Sequence, residues 1–226
     1  MTVLFIILSI LAVFVFVIAT VFSDEIQSTR DKDPAAKNYL EVILLYPGLH
    51  AIISHRICHA LWKIKIPFFP RAISQVTRFL TGIEIHPGAQ IGKGLFIDHG
   101  MGVVIGETTI IGKDVTLFQG VTLGGTGKEC GKRHPTLGDN VVVGTGAKVL
   151  GNINIGDNSY VGANAVILRD VPSNSTVVGV PGHITKKDGK KIDVMDHVHV
   201  SDPVMQHMKD IMKRLKHLED EKKHQE

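Results

Sequence analysis

LGDNVVVGTGAKVLGNINIGDNSYVGANAVI, residues 137–167, sets an aliphatic side chain at every sixth position: Leu137, Val143, Val149, Ile155, Val161 and Ile167. That rhythm is neither the 3.6 of a helix nor the 2 of a strand. It suits a narrow prism whose axis receives one aliphatic side chain from each flat side. Glycine follows the aliphatic residue at Gly138, Gly144, Gly156 and Gly162, where a corner needs an unhindered backbone. A small residue precedes it by two at Ala147, Ser159 and Ala165, leaving room for successive coils to stack. Reading outward, the same spacing recurs at Ile85, Ile91, Ile97 and Val103, and again at Ile111, Leu117 and Leu123. Three hexads make a triangular coil, so these thirteen give between four and five coils from Ile85 to Val171. The fold expected is mainly β, a left-handed parallel β-helix of hexapeptide repeats.

The rhythm breaks twice. Val103 to Ile111 is two residues too long for one hexad, and Leu123 to Leu137 is eight too long, so a loop of about Gly124 to Thr136 must leave the coil. Long excursions from a rigid solenoid commonly bind ligands. Because aliphatic side chains fill the axis, a ligand has to sit outside, against a loop or a neighbouring copy, which favours a cyclic oligomer.

The flanks are of other kinds. Thr2 to Ser23 has no charged residue and is long enough to span a bilayer as a helix. Arg30, Lys32 and Lys37 follow it and no Lys or Arg precedes it, so the positive-inside rule would leave the remainder cytoplasmic. A cleavable signal peptide lacks its basic n-region and cleavage site here, and a mis-assigned start is the other alternative. The polar stretch Ser23 to Lys37 reads as a linker or the start of a helical subdomain. Apolar residues at helical spacing from Asn38 to Gly82, broken at Pro47-Gly48 and at Pro67 to Pro70, predict two or three short helices. From Asp202, Pro203 and then Val204, Met208, Ile211, Leu215 and Leu218 predict an amphipathic C-terminal helix. The domains expected are a membrane anchor at 1–23, a linker and helical subdomain at 24–82, a β-helix catalytic domain at 83–182 and a charged tail with its helix at 183–226.

Composition narrows the function. A net charge of +3 with no basic face excludes a nucleic-acid binder. Two cysteines, Cys58 and Cys130, in unrelated contexts exclude a disulfide framework, and neither has a CxxC partner. His50, His55 and His59 along one predicted helix read as packing and surface residues. The polar groups of interest lie on the coil. Glu84 and His99 are fifteen residues apart against a coil of about eighteen, which puts them at neighbouring points of one corner. There a carboxylate would hold an imidazole tautomer for general-base work; a corner histidine satisfied by backbone is the plain alternative. The loop GGTGKECGKRHP brings glycines that let backbone N–H groups approach a ligand and Arg133, which can fork onto a carboxylate. It is no Walker A, for its lysine is not followed by Ser or Thr in the required spacing.

DPAA at Asp33, IEIHPGA at Ile83, DHGMGVVIGET at Asp98, VTLGGTGK at Val121 and RHP at Arg133 together resemble bacterial serine O-acetyltransferase, over most of Asp33 to Ile184. The resemblance implies acetyl transfer from acetyl-CoA, a co-substrate and not a resident cofactor, to the hydroxyl of L-serine in cysteine synthesis. On that reading His99 is the base, oriented by Glu84, a position where family members carry Asp or Glu. Asp33 and Asp98 would hold the ammonium of serine, and Arg133 and His134 its carboxylate side. Gly125, Thr145, Gly146 and Ala163 would line the pantetheine slot, with Thr145 departing from the small apolar residue common there. No acyl-enzyme forms, so Cys130 is not a nucleophile. The family implies homotrimers, sometimes paired, with no metal and no nucleic acid, and inhibition by free cysteine. The usual cysteine-synthase partner grips a C-terminal Ile; this chain ends His224-Gln225-Glu226, so that complex is not expected.

Three other readings compete. A γ-type carbonic anhydrase needs zinc histidines five residues apart, whereas His86, His99 and His134 are spaced 13 and 35. An acetyltransferase for a sugar or xenobiotic would not need Asp33, Arg133 and His134. A non-catalytic membrane-bound β-helix scaffold would not need Glu84 and His99.

Overall fold

The computed structural model describes residues 2–127, 130–191 and 211–214, apart from the side chains at 2–4, 8, 10–12, 14, 15 and 191. Five helices precede the coil: α1 (Thr2–Val21), α2 (Ser23–Lys32), α3 (Tyr39–Leu45), α4 (Pro47–Lys63) and α5 (Phe69–Thr81). Thirteen short strands then wind a parallel β-helix with three flat faces. Face 1 holds β1 (Glu84–Ile85), β4 (Val104–Ile105), β7 (Thr122–Gly124), β10 (Lys148–Leu150) and β13 (Val166–Ile167). Face 2 holds β2 (Gln90–Ile91), β5 (Ile110–Ile111), β8 (Thr136–Leu137) and β11 (Asn154–Ile155). Face 3 holds β3 (Phe96–Ile97), β6 (Thr116–Leu117), β9 (Val142–Val143) and β12 (Tyr160–Val161). It is completed by β14 (Ser175–Val178) and, antiparallel, β15 (His183–Lys187) and β16 (Lys190–Lys191).

The axis is dry. Leu117, Leu123, Val143, Val149 and Val161 are fully buried, each worth about 1.5–3 kcal/mol against exposure. The small residues two positions earlier, Ala89, Ala147, Ser159 and Ala165, are buried as well.

Register corrects one expectation. Ile85 pairs with Ile105, twenty residues on, and Ile105 with Leu123, eighteen on. The two additional residues therefore lie between Ile97 and Ile105, at the corner from face 3 to face 1, and not between Val103 and Ile111. Val103 mimics an axial residue because the position two before it in each hexad, as at Ile83 and Val121, is also fully buried. The eight-residue excursion lies where expected, between β7 and β8.

Ser23 to Lys37 is no free linker. α2 is fixed on the first coil by Ser28 Oγ and Lys32 Nζ, which donate to Gly94 O at 2.9 and 2.8 Å, and by the Lys93–Asp24 pair at 2.6 Å. Arg56 of α4 ties both together, pairing with buried Glu25 of α2 at 3.0 Å and donating to Gly92 O at 2.6 Å. A second apolar cluster of Ile26, Val42, Ile43 and Leu49 packs the helices, with Ile18, Ala19 and Phe22 from the end of α1 and its following residue, and with Tyr46.

Among the described residues no helix is long and apolar enough to cross a membrane. The anchor expected at 1–23 falls partly on side chains outside that description. The C-terminal helix also lies outside it, apart from 211–214, which are helical.

Candidate active site

The corner from face 3 to face 1 carries the reactive residues. Asp98 follows β3, and the two-residue insertion lifts His99 into the left-handed region at φ 57, with its side chain 73% exposed. Asp98 Oδ1 lies 3.8 Å from His99 Nε2, an ion-pair distance and not a hydrogen bond. The corner closes through Gly102 N, which donates to Gly82 O at 2.9 Å.

Glu84, two residues beyond Gly82, does not reach His99 as expected. Its carboxylate takes Arg78 at 3.2 Å and Arg71 at 3.8 Å. α5 ends at Thr81, so these two arginines, two turns apart on one helical face, are delivered directly beside β1. Two guanidinium groups outbid an imidazole for one carboxylate.

Asp33 comes to the same corner from the end of α2. Its Oδ1 accepts from Ala35 N at 2.8 Å, and its Oδ2 accepts from the Tyr46 hydroxyl at 2.6 Å. The Tyr46 phenol is pushed up to about 12, first by that bond, then by burial and the charges of Asp33, Glu41 and Asp98. Asp33 is thus held by Tyr46, while Asp98 lies beside His99. Tyr46 carries no sequence signal of its own, since its bond to Asp33 joins residues thirteen apart.

Below His99 the corner continues as a backbone ladder. Gly120 N donates to Met101 O at 2.9 Å, Gly146 N to Gln119 O at 2.8 Å and Asn164 N to Thr145 O at 2.7 Å. Gly102, Gly120, Gly146 and Asn164 all have positive φ, and a Cβ on Gly144 would sit 2.8 Å from Ala163 N. Thr145, Gly146 and Ala163 therefore share one corner of the coil with His99. Successive coils repeat along it at about 4.8 Å. Gly125 is elsewhere, packed against Arg133.

Arg133 and His134 occupy the next corner, from face 1 to face 2. Thr108 gathers them: its Oγ1 accepts from Arg133 N at 3.0 Å and His134 N at 3.1 Å, and lies 2.9 Å from His134 Nδ1. Thr108 N also donates to that Nδ1 at 3.2 Å. An Nδ1 that accepts leaves the proton on Nε2, and burial, with Arg133 beside it, lowers the basicity of His134. His134 is a fixed, neutral donor. Arg133 pairs with Glu107 at 2.9 Å, and Lys132 Nζ latches the loop onto Thr108 O and His134 O at 2.7 and 2.6 Å. Glu107 and Thr108 stand inside the DHGMGVVIGET motif, yet spacing alone gave them no role.

Within one chain the structure thus joins Asp98 and His99, ties Asp33 to Tyr46, joins Arg133 and His134, and keeps the His99 and His134 corners at opposite edges of face 1. An open concavity of about 770 Å³, lined by His59, Trp62, Lys63, Ile66, Gly88 and Gln90, contains none of these residues. The site is judged by its chemistry, which that concavity lacks. No cluster of three or more metal-ligating side chains occurs among the described residues. Cys58 is buried and Cys130 exposed, both free thiols.

The family model for bacterial transferase hexapeptide (six repeats) matches residues 134–169. A serine acetyltransferase of Staphylococcus xylosus is 60% identical over 193 residues, 85% of this chain and 89% of its own. Among solved structures, soybean serine acetyltransferase complexed with serine superposes with a TM-score of 0.70 at 43% identity, covering 71% of this chain and 66% of that one. Serine acetyltransferase in complex with coenzyme A from Brucella abortus gives 0.72 at 42% identity, covering 75% and 68%. The left-handed sense of the coil and its N-terminal helices follow from these likenesses. With such identity over most of both chains, this chain belongs to the serine acetyltransferase family.

Proposed function

We propose that the chain transfers the acetyl group of acetyl-CoA to the hydroxyl of L-serine, giving O-acetyl-L-serine and CoA, at the corner headed by His99. One observation carries this reading: an exposed imidazole stands beside a carboxylate, Asp98, at the head of the coil corner that also carries Thr145, Gly146 and Ala163. The serine and coenzyme A complexes of the two solved relatives supply matching ligands.

His99 takes the proton of the serine hydroxyl as its oxygen attacks the thioester carbonyl carbon. The tetrahedral adduct collapses, the C–S bond breaks, and the imidazolium returns the proton to the departing thiolate. No acetyl group passes to the protein. A positioned base supplies about 10²–10⁴ in rate, and holding both substrates in line supplies much of the rest. Asp98, the carboxylate paired with His99, stabilises the imidazolium; Glu84, held by Arg71 and Arg78, is not assigned that task. Asp33 and Asp98 take the ammonium, Arg133 and the Nε2–H of His134 the carboxylate, and Thr145, Gly146 and Ala163 the pantetheine arm, with Gly125 shaping the Arg133 loop. Acetyl-CoA is spent and released, as a co-substrate.

The two half-sites lie a hexad apart across face 1, roughly 20 Å at full extension. One serine cannot span that, so a second copy brings its Arg133 corner against the His99 corner. A homotrimer, alone or paired, closes three such sites. A sugar acceptor would leave the carboxylate niche without a counter-charge, which disfavours the sugar and xenobiotic reading.

The test is His99→Ala. Turnover of acetyl-CoA with L-serine should fall by about 10²–10⁴ while the thermal midpoint and oligomer mass stay at the wild-type values. Retained turnover removes His99 as the base.

A further inference from the structure

We infer that the Tyr46 hydroxyl is a specificity-determining positioning group, which fixes the Asp33 carboxylate in one orientation to receive the ammonium of the acceptor. This rests on the serine reading above and assigns to it a residue outside the coil.

Tyr46 lies between α3 and α4, extended at φ −90 and ψ 105 as the residue before Pro47 must be. Its ring packs on the Ile26, Val42, Ile43 and Leu49 cluster, so the hydroxyl is delivered from a fixed body. Asp33 closes α2 and would otherwise turn freely about its side chain. With Oδ1 on Ala35 N and Oδ2 on the Tyr46 hydroxyl, both oxygens are committed to one orientation. The bonds of Ser28 and Lys32 to Gly94 O, and of Lys93 to Asp24, fix α2 on the first coil just before β3.

The hydroxyl remains protonated at neutral pH and can only donate to Asp33. Neither Asp33 nor Asp98 has a lysine or arginine ion pair among the described residues. A carboxylate held in place without a cation favours an incoming positive charge, and an ammonium supplies it. An acceptor with a hydroxyl and a carboxylate but no ammonium brings no such charge. Asp33 therefore selects amino acids over hydroxy acids, and Tyr46 keeps it rigid.

The experiment compares wild type with Tyr46→Phe, which retains the ring and deletes one hydroxyl. CoA release is followed with L-serine and with 3-hydroxypropanoate, the same acceptor without its ammonium. The KM for L-serine should rise roughly tenfold, as for loss of a hydrogen bond to a charged group. The KM for acetyl-CoA, kcat at saturating serine and the thermal midpoint should hold within about twofold or a degree or two. The preference for L-serine over 3-hydroxypropanoate should shrink, and adding Tyr46→Phe to Asp33→Asn should change nothing further. An unchanged serine KM in the variant overturns the inference, and so does a loss shared equally by both acceptors and the thermal midpoint, the mark of a merely structural residue. If wild type releases no CoA with L-serine, the serine reading itself fails, and the inference with it.

Discussion

His99 and His134 stand at opposite edges of one face of the coil, each on an interruption of the six-residue rhythm, and differ in almost everything else. A two-residue insertion is too short to fold back, so it lifts His99 to positive φ with its ring 73% exposed. An eight-residue excursion can return, and it lays His134 over Gly106, 8% exposed, with Nδ1 held by Thr108. The first arrangement leaves an imidazole free to exchange protons with a ligand. The second makes a neutral donor with fixed direction. Chemistry and recognition are thus divided between corners by the length of the interruption.

Arg133→Ala tests that division most strongly. If its corner serves recognition alone, the KM for L-serine rises about 10–100-fold, the worth of a charge-assisted contact, while kcat at saturation changes little. A fall in kcat with unchanged KM would break the division.

Gly106→Ala probes the seat of His134. A Cβ there would lie 2.0 Å from His134 Cδ2, and such overpacking costs about 1–3 kcal/mol, read as a lowered denaturation midpoint. Gly127→Ala on the same excursion meets nothing within 4 Å and should stay within about 0.5 kcal/mol. Equal effects at the two glycines would mean that the loop does not seat the histidine.

The buried histidines should also make the protein acid-sensitive. His55 is lowered to about 3, chiefly by burial, with His59, Arg56 and His86 opposing its charge, and burial lowers His86 and His134 too. A folded-state value below the unfolded one means that the unfolded chain takes up protons first as pH falls. Stability is therefore full above about 6.5 and is lost from there towards 3, by up to about 1.4 kcal/mol per pH unit for His55. Denaturant midpoints at pH 7 and 5 measure this, and His55→Gln should flatten the slope. A midpoint that is level between these values would contradict the burial argument.

The coil was legible because each axial position must be filled, so packing enforces the hexads on the residues themselves. Its first break was misplaced because the hexad buries two positions, and Val103 occupies the second while looking like the first. Spacing along the coil sets Glu84 beside His99 but carries nothing of α5, which brings Arg71 and Arg78 to the same carboxylate. The partnership of Asp33 with Tyr46 was out of reach for a similar reason: it joins the end of one helix to the start of another through packing that no local period records. Arg133 and His134 were legible as a motif, but Thr108, the hydroxyl that seats them, looked like any corner threonine.

The most direct measurement is release of CoA from acetyl-CoA by the purified full chain, with and without L-serine, alongside a neutral sugar acceptor. The account predicts release that depends on L-serine, matched mole for mole by O-acetyl-L-serine, and background release with the sugar. Equal release with both acceptors, or none with L-serine, would contradict it.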